Sequence, residues 1–338
     1  MELFYELSHQ QLVQWLADRG EARYRADQIF EWVYHHGVAD FAKMTNLPLP
    51  LRQALAARFE LDRPHIVKST GHTTTKYLLE YLDGTCVECV SIPMDTYYTF
   101  CLSSQVGCAM GCLFCASALG SLERNLTTGE IVGQQVAVQR VTHKPRNIVF
   151  MGVGEPLANL DNVAAAITRF TDPHALNLSP SHITVSTAGI VPGIRRLADM
   201  NLGVELAVSL NAVTDSQRRE LMPGAARWSI AELLAACRYF TQRTDGQPVT
   251  FEYVLIADVN DSREQADLLA ELVGDLRHHV NIIPFNTVDH ANFQRPTPRR
   301  VDQFCAQLRH RGINVSVRYS RGTEVAAACG QLRADTDN

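Results

Sequence analysis

Three observations predict an α/β fold built on a parallel array of strand–helix units, a complete or partial (βα) barrel. From Tyr97 onward, seven strand-like runs alternate with amphipathic helix-like stretches. The first sixty residues carry only short helical patterns. Between Ile66 and Ile92 the period changes to two, with turn residues at its centre. The predicted partition is a small N-terminal helical accessory domain over 1–68, a β-hairpin linker over 69–95, the α/β core over 96–332 and a polar tail over 333–338.

In the first part, Ser8 and Gln11 read as a capping box ahead of Leu12, Trp15 and Leu16, with Gly20 as the stop. A second helix is expected from Arg25 to His35, turning Ile29, Trp32 and Val33 inward, with Gly37 behind it. Pro50 is placed to open a third, in which Leu51, Leu55 and Phe59 recur every four residues. Trp15 and Trp32 are expected in the core. Residues 1–70 hold eight basic and nine acidic side chains, so nothing in that charge points to RNA.

Asp83-Gly84 between the alternating runs Lys76–Tyr81 and Cys86–Val90 predicts a hairpin. The core strands are expected near 99–103, 147–151, 183–186, 204–210, 250–255, 280–283 and 315–318, with helices such as 230–239 and 265–276 between them. In such an array the reactive groups gather on loops leaving the C-terminal ends of strands. The informative strings fall there: the cysteine loop after the first strand, Gly152-Val153-Gly154-Glu155-Pro156 after the second, Ser186, Ser209-Leu210-Asn211, Asn286 and finally Cys329.

Composition excludes several classes. The chain has 338 residues, 46% of them hydrophobic and 20% charged, which is enough for a large core and rules out disorder. No run of about 18 apolar residues is present, and the first residues carry neither a basic nor an apolar signal segment, so a soluble cytoplasmic protein with no membrane partner is expected. The net charge of -5 gives no overall attraction to nucleic acid. Locally, however, residues 295–321 hold seven arginines against Asp302 alone, a patch that can meet phosphates or simply form a solvated helix face.

Nine cysteines are present, and six of them crowd between Cys86 and Cys115, unlike a secreted disulfide scaffold. Cys108, Cys112 and Cys115, spaced by three and two intervening residues, can wrap one iron–sulfur cube and leave its fourth iron without a protein ligand. The alternative is a zinc half-site completed by Cys86 and Cys89.

That spacing, with Phe114 before the last cysteine, resembles the radical S-adenosylmethionine (SAM) enzymes. The resemblance implies a [4Fe-4S] cluster whose open iron binds SAM and passes it one electron. It also implies a partial barrel of the radical SAM type, in which Gly154 and Glu155 belong to the glycine-rich loop that meets the SAM amino group. Further strings resemble one branch, the RlmN/Cfr family of RNA methyltransferases. They are Arg25-Ala26-Asp27-Gln28, Val87-Glu88, Cys101 to Cys108, Met151 to Leu157, Ser186 to Gly189, Val259-Asn260-Asp261 and Ala328 to Leu332. The match runs from about residue 8 to residue 333.

The family resemblance implies methylation of an adenine ring carbon, carbon 2 in the main reading, in rRNA, tRNA or both. Two SAM molecules are used per turnover. Cys329 takes a methyl group from the first. The second yields a 5′-deoxyadenosyl radical that removes a hydrogen from that S-methyl, and the resulting carbon radical adds to adenine. Cys101 then attacks the Cys329 sulfur, leaving a transient disulfide, and Glu88 accepts the proton. Ser186, Ser209, Leu210, Asn211 and Asn286 carry over as SAM contacts. The electron donor implied is a reducing protein such as flavodoxin or ferredoxin. A carbon-8 methyltransferase of the resistance branch shares these motifs, and a non-catalytic iron–sulfur RNA-binding protein is the reading from another class. Asn211, Phe285, Met222–Ala225 and Glu324–Ala327 depart from the usual family strings, but none removes a cluster ligand or a reactive thiol.

Overall fold

The computed structural model describes residues 1–71, 73–288 and 291–332, so the expected polar tail lies outside the described residues. The N-terminal module begins with β1 (Glu2–Leu3), which pairs in parallel with β2 (Phe59–Glu60). Between them lie α1 (His9–Ala17), α2 (Tyr24–Phe30) and α3 (Leu49–Arg58). The capping box is formed as expected: the Gln11 amide donates to Ser8 Oγ at 3.0 Å, and the Ser8 amide donates to Gln11 Oε1 at 2.7 Å. Leu51 and Leu55 face inward; Phe59 continues that stripe as the first residue of β2.

Two expectations fail locally. The second helix is α-helical only to Phe30 and continues as a π-turn over Glu31–His35. Trp15 and Trp32 are half-buried at the rim of the core. Trp15 lies under the Arg19 guanidinium, 3.8 Å from the ring, and the Trp32 indole N–H donates to Asn46 Oδ1 at 2.6 Å. An indole carries a donor that must be satisfied, and here the partners lie at the surface.

The core is a ten-stranded sheet. β3 (His65–Thr70), β4 (Thr75–Glu80), β5 (Cys86–Pro93) and β6 (Tyr98–Cys101) run antiparallel in succession. A small ladder, β7 (Gln105–Val106) with β8 (Arg124–Asn125), follows. Next come α4 (Thr128–Val141), β9 (Pro145–Phe150), α5 (Leu160–Thr171), β10 (Ile183–Thr187), α6 (Val191–Met200) and β11 (Glu205–Ser209). The remainder is α7 (Asp215–Leu221), α8 (Ile230–Arg243), β12 (Val249–Leu255), α9 (Arg263–Val273), β13 (His278–Pro284), α10 (Pro298–His310) and β14 (Val315–Val317).

The strand order is β14-β13-β12-β11-β10-β9-β6-β5-β4-β3, parallel from β14 to β6. Seven parallel strands occur where seven were expected, and β14 and β6 are not neighbours, so the barrel is partial. The hairpin is not a separate linker. β5 bonds to β6 through Val90↔Cys101, Ser91↔Phe100, Ile92↔Thr99 and Pro93↔Tyr98, so it extends the same sheet and covers the edge that β6 would expose. Among the described residues no helix is long and apolar enough to cross a membrane.

The module docks on α4, which is buried from Thr128 to Val138. Its close approach depends on Gly129 and Gly133, one turn apart. A Cβ on Gly129 would lie 2.7 Å from Glu6 Oε1, and one on Gly133 would lie 2.4 Å from the Pro64 ring. Arg140 secures the seam, donating to Tyr5 Oη at 2.8 Å and to the carbonyls of Gly37 and Leu61, both at 3.0 Å. Gly133→Val should destabilise the protein by about 1–3 kcal/mol, the usual range for overpacking a filled contact. Gly120→Ala, where a Cβ meets nothing within 4 Å, is the control and should stay within about 0.5 kcal/mol. Guanidinium midpoints of the two variants check this.

Candidate active site

β6 ends at Cys101, and the chain then enters the cysteine loop, which is folded back on itself by Val106↔Arg124 pairing. Gly107, at φ +75°, is needed at this closure because a Cβ there would overlap the Ser121 carbonyl. The loop is clamped from two sides. The Leu113 amide donates to the Leu221 carbonyl at 3.0 Å, and the Gly224 amide donates to the Met110 carbonyl at 2.9 Å. On the other side, the Ala116 amide donates to the Gly330 carbonyl at 2.6 Å, and Ser117 Oγ to the Leu332 carbonyl at 2.8 Å. A Cβ on Gly224 would sit 2.7 Å from Met110 Cα, so the unusual Met222–Ala225 string is where the cysteine loop rests.

Cys108, Cys112 and Cys115 line one side of a cavity at the C-terminal ends of the parallel strands. Gly152, Gly154, Glu155, Ser186, Ser209, Asn286 and Cys329 line it too. The glycine loop fits only as glycines: a Cβ on Gly152 would be 2.6 Å from Ser103 Oγ, and one on Gly154, at φ +104°, 2.6 Å from Gln105 Cβ.

The donor set suits a cluster. Three thiols on one loop beside a cavity match a cube that keeps one iron open. Cys86 and Cys89 line none of this cavity, and Cys89 is buried in the sheet. The zinc reading therefore falls. Burial pushes the Cys108 thiol up to about 11 and Cys112 well above its ordinary value, so only a bound cation would hold them as thiolates.

Glu155 is fully buried, and burial pushes its pKa up against the pull of its hydrogen bonds. Its carboxylate accepts from the amides of Leu157 at 3.0 Å and Ala188 at 2.6 Å, tying the glycine loop to the end of β10. Leu210 and Asn211 do not line the cavity. Asn211, at φ +56°, accepts from the Val254 amide at 2.7 Å and its side chain donates to Met222 Sδ at 3.3 Å, so its side chain is committed to holding loops. Asn286 Nδ2 donates to Ser320 Oγ at 2.8 Å and to the Cys329 carbonyl at 3.1 Å.

A second cavity adjoins the first. Cys101, Met151, Arg318, Ala328 and Cys329 line it, so Cys329 borders both. Burial pushes the Cys101 thiol up to about 12, with Cys329 adding to the rise and Arg318 opposing it. Arg318 is the buried cation of this cavity, which Arg321 also lines, and its pKa is raised first by Cys329 and then by Glu252, 3.7 Å away. Glu88 lies on β5 two residues before Val90, the partner of Cys101, and so shares the Cys101 face of the sheet. It forms an ion pair with Lys76 at 2.7 Å.

Arg318 and Glu252 line the cavities but were missed as site residues. Arg318 was counted into a surface patch, although its place at the end of the last strand is the position that marks site residues. That patch is only partly free, because Arg299 and Arg309 stay exposed while several of its other arginines are engaged. Arg300 is paired with Asp258 and Asp261 at 2.7 and 2.9 Å, and Arg311 with Glu271 at 3.0 Å. Arg318 faces the cavity, and Arg295 and Arg321 bond the carbonyls of Phe285 and Pro93. The neutralising acids come from residues 258–271, outside the window in which the arginines were counted.

Residues 3–61 match the family described as "Ribosomal RNA large subunit methyltransferase N-terminal domain", and residues 102–270 match the radical SAM superfamily. A probable dual-specificity RNA methyltransferase RlmN from Symbiobacterium thermophilum is 48% identical, covering 97% of this chain and 90% of that protein. A dual-specificity RNA methyltransferase RlmN from Pelobacter propionicus is 45% identical, covering 96% and 94%. The crystal structure of a radical SAM methyltransferase from Sphaerobacter thermophilus superimposes with a TM-score of 0.95 at 44% identity, covering 99% of this chain and all of that one. With the cluster loop, the glycine loop and both cysteines in place, the chain belongs to the RlmN family of radical SAM RNA methyltransferases.

Proposed function

We propose that this protein methylates carbon 2 of an adenine in rRNA, tRNA or both, passing the methyl group through Cys329. The observation that carries this reading is the position of Cys329 between the two cavities, one lined by the three loop thiols and the other by Cys101. Carbon 2 lies between two ring nitrogens and is electron-poor, so simple displacement from SAM onto it is unfavourable. A cysteine relay avoids that step.

Cys108, Cys112 and Cys115 would hold the [4Fe-4S] cluster, which when bound supplies the electron that cleaves SAM reductively. Gly154, Glu155, Ser186, Ser209 and Asn286 shape the SAM cavity, while Leu210 and Asn211 support it from behind. The Cys329 thiolate accepts the methyl group: a sulfur–carbon bond forms as the bond to the sulfonium breaks, and its electron pair stays on the departing sulfur. Arg318 lines the same cavity as Cys329, and Asn286 fixes the Cys329 backbone. Cys101, whose thiol burial keeps protonated at neutral pH, gives up its proton only in the last step and attacks the Cys329 sulfur as a thiolate: the sulfur–sulfur bond forms as the bond from Cys329 to the methylene carbon breaks, and that carbon keeps the electron pair and takes a proton to become the methyl group. Glu88, held ready by Lys76, takes the proton from the adenine carbon.

The adenine must be presented out of its stack to reach an interior cavity. We place the enzyme in the cytoplasm, where a small reducing protein such as flavodoxin or ferredoxin is the electron source.

Expression in cells lacking their own adenine carbon methylase, followed by mass spectrometry of separated rRNA and tRNA, should yield 2-methyladenosine. An 8-methyladenosine peak would move the protein to the resistance branch. No new methyladenosine from protein with an intact cluster would leave either an unusual RNA target or the RNA-binding reading. Cys329→Ala should abolish methyl transfer with cluster absorbance unchanged, and transfer surviving in that variant would sink the cysteine relay. Arg318→Met, which removes the positive charge that interacts with Cys329, should slow methylation of Cys329 by about 10–100-fold without altering the cluster spectrum. Peptide mass spectrometry of the Cys329 fragment reads that rate.

A further inference from the structure

We infer that His9, Asp27 and His174 form a binding site for a single zinc ion that pins the N-terminal module to the core. Among the described residues they are the one group of three His, Cys, Asp or Glu side chains whose ligand atoms all lie within 4.8 Å of one another. His9 Nε2 is 2.6 Å from Asp27 Oδ1, and His174 Nδ1 is 3.2 Å from the same oxygen. Two imidazole nitrogens and one carboxylate are the donor set of many zinc sites that keep one position for water.

The three residues come from separate parts of the fold. His9 opens α1, Asp27 lies on α2, and His174 follows α5 in the core. His9 is buried with its ring edge-on to Phe30 at 5.1 Å, so its orientation is set by packing. Asp27 and His174 are each about half exposed, which leaves the fourth position open to water. A cation about 2.0–2.2 Å from each donor in tetrahedral geometry needs them roughly 3.3 Å apart. The Asp27–His174 separation already meets this. The Asp27–His9 contact opens by rotation of the half-exposed carboxylate. The rings of His9 and His174 are stacked 3.9 Å apart and nearly parallel, so His174, the freer of the two, must tilt for its lone pair to converge with that of His9. None of the three contributes to the methyl-transfer chemistry, so this site stands or falls independently of the proposed function.

The test uses the cluster-loaded enzyme titrated with zinc sulfate, with zinc and iron counted together by mass spectrometry after gel filtration. One zinc per chain is expected with the cluster iron unchanged, and a thermal midpoint that rises with zinc. His174→Ala, at a half-exposed position, and the isosteric Asp27→Asn should each weaken zinc binding at least tenfold and remove the thermal shift. Zinc retention equal in wild type and both variants would place the ion elsewhere and overturn the site. So would the absence of zinc from the wild type, which would leave the three side chains as a hydrogen-bonded contact only.

Discussion

The site depends on how the last described segment of the chain is held across the open end of the sheet. Residues 328–332 arrive more than two hundred positions after the cysteine loop, yet the Gly330 and Leu332 carbonyls take hydrogen bonds from Ala116 and Ser117, and Asn286 takes the Cys329 carbonyl. These bonds fix backbone, so they set where the Cys329 sulfur lies without using its side chain. If they were lost, the segment would leave the cavity and Cys329 would no longer border the space lined by the three loop thiols. The ordering entropy of a strap of this kind is about 1–2 kcal/mol per residue, and Ala327, Ala328 and Leu332, all buried, offset it with apolar contact.

The partial closure of the barrel follows from the same need. A fully closed barrel fills its interior with side chains. Here the parallel sheet stops at β6, and the hairpin β4–β5 continues it in the antiparallel sense. That arrangement protects the β6 edge and brings a second set of side chains, Glu88 and Lys76, to the face that carries Cys101. The antiparallel extension thus covers the edge and places a buried ion pair on the Cys101 face.

Much of this was legible beforehand because strands and loops carry strong local signals. The seven parallel strands follow from short apolar runs, and the Ser8–Gln11 capping box and the Asp83-Gly84 turn are fixed within four residues. Cys108, Cys112 and Cys115 announce themselves by spacing, and Cys101 and Cys329 by their strings. What stayed hidden depends on contacts distant in sequence. The arginines of 295–321 looked like a basic face because their partners, Asp258, Asp261 and Glu271, lie in another segment. Trp15 and Trp32 looked like core because nothing local reveals that Arg19 and Asn46 wait at the rim. Asn211 stands at a strand end, as a cofactor contact would, yet its side chain goes to Val254 and Met222.

The buried charges around the cavity show why those supporting contacts matter. Arg218 is almost fully buried, and its guanidinium donates to the carbonyls of Ser209 and Leu210 at 3.1 and 2.7 Å and to that of Ala188. Burial lowers its pKa, which marks the cost of keeping the charge there. Glu155 does the converse, accepting backbone amides from the glycine loop and from Ala188. One cation and one anion therefore tie the ends of β9, β10 and β11 together through backbone atoms, and both meet at Ala188. Such groups would add little to stability over well-packed apolar residues; what they add is direction, because each hydrogen bond fixes a loop in one place. A cavity that must accept the same cofactor for a polar displacement and then for a radical step cannot let its loops re-pack between the two. Preorganised backbone held by buried charge meets that requirement.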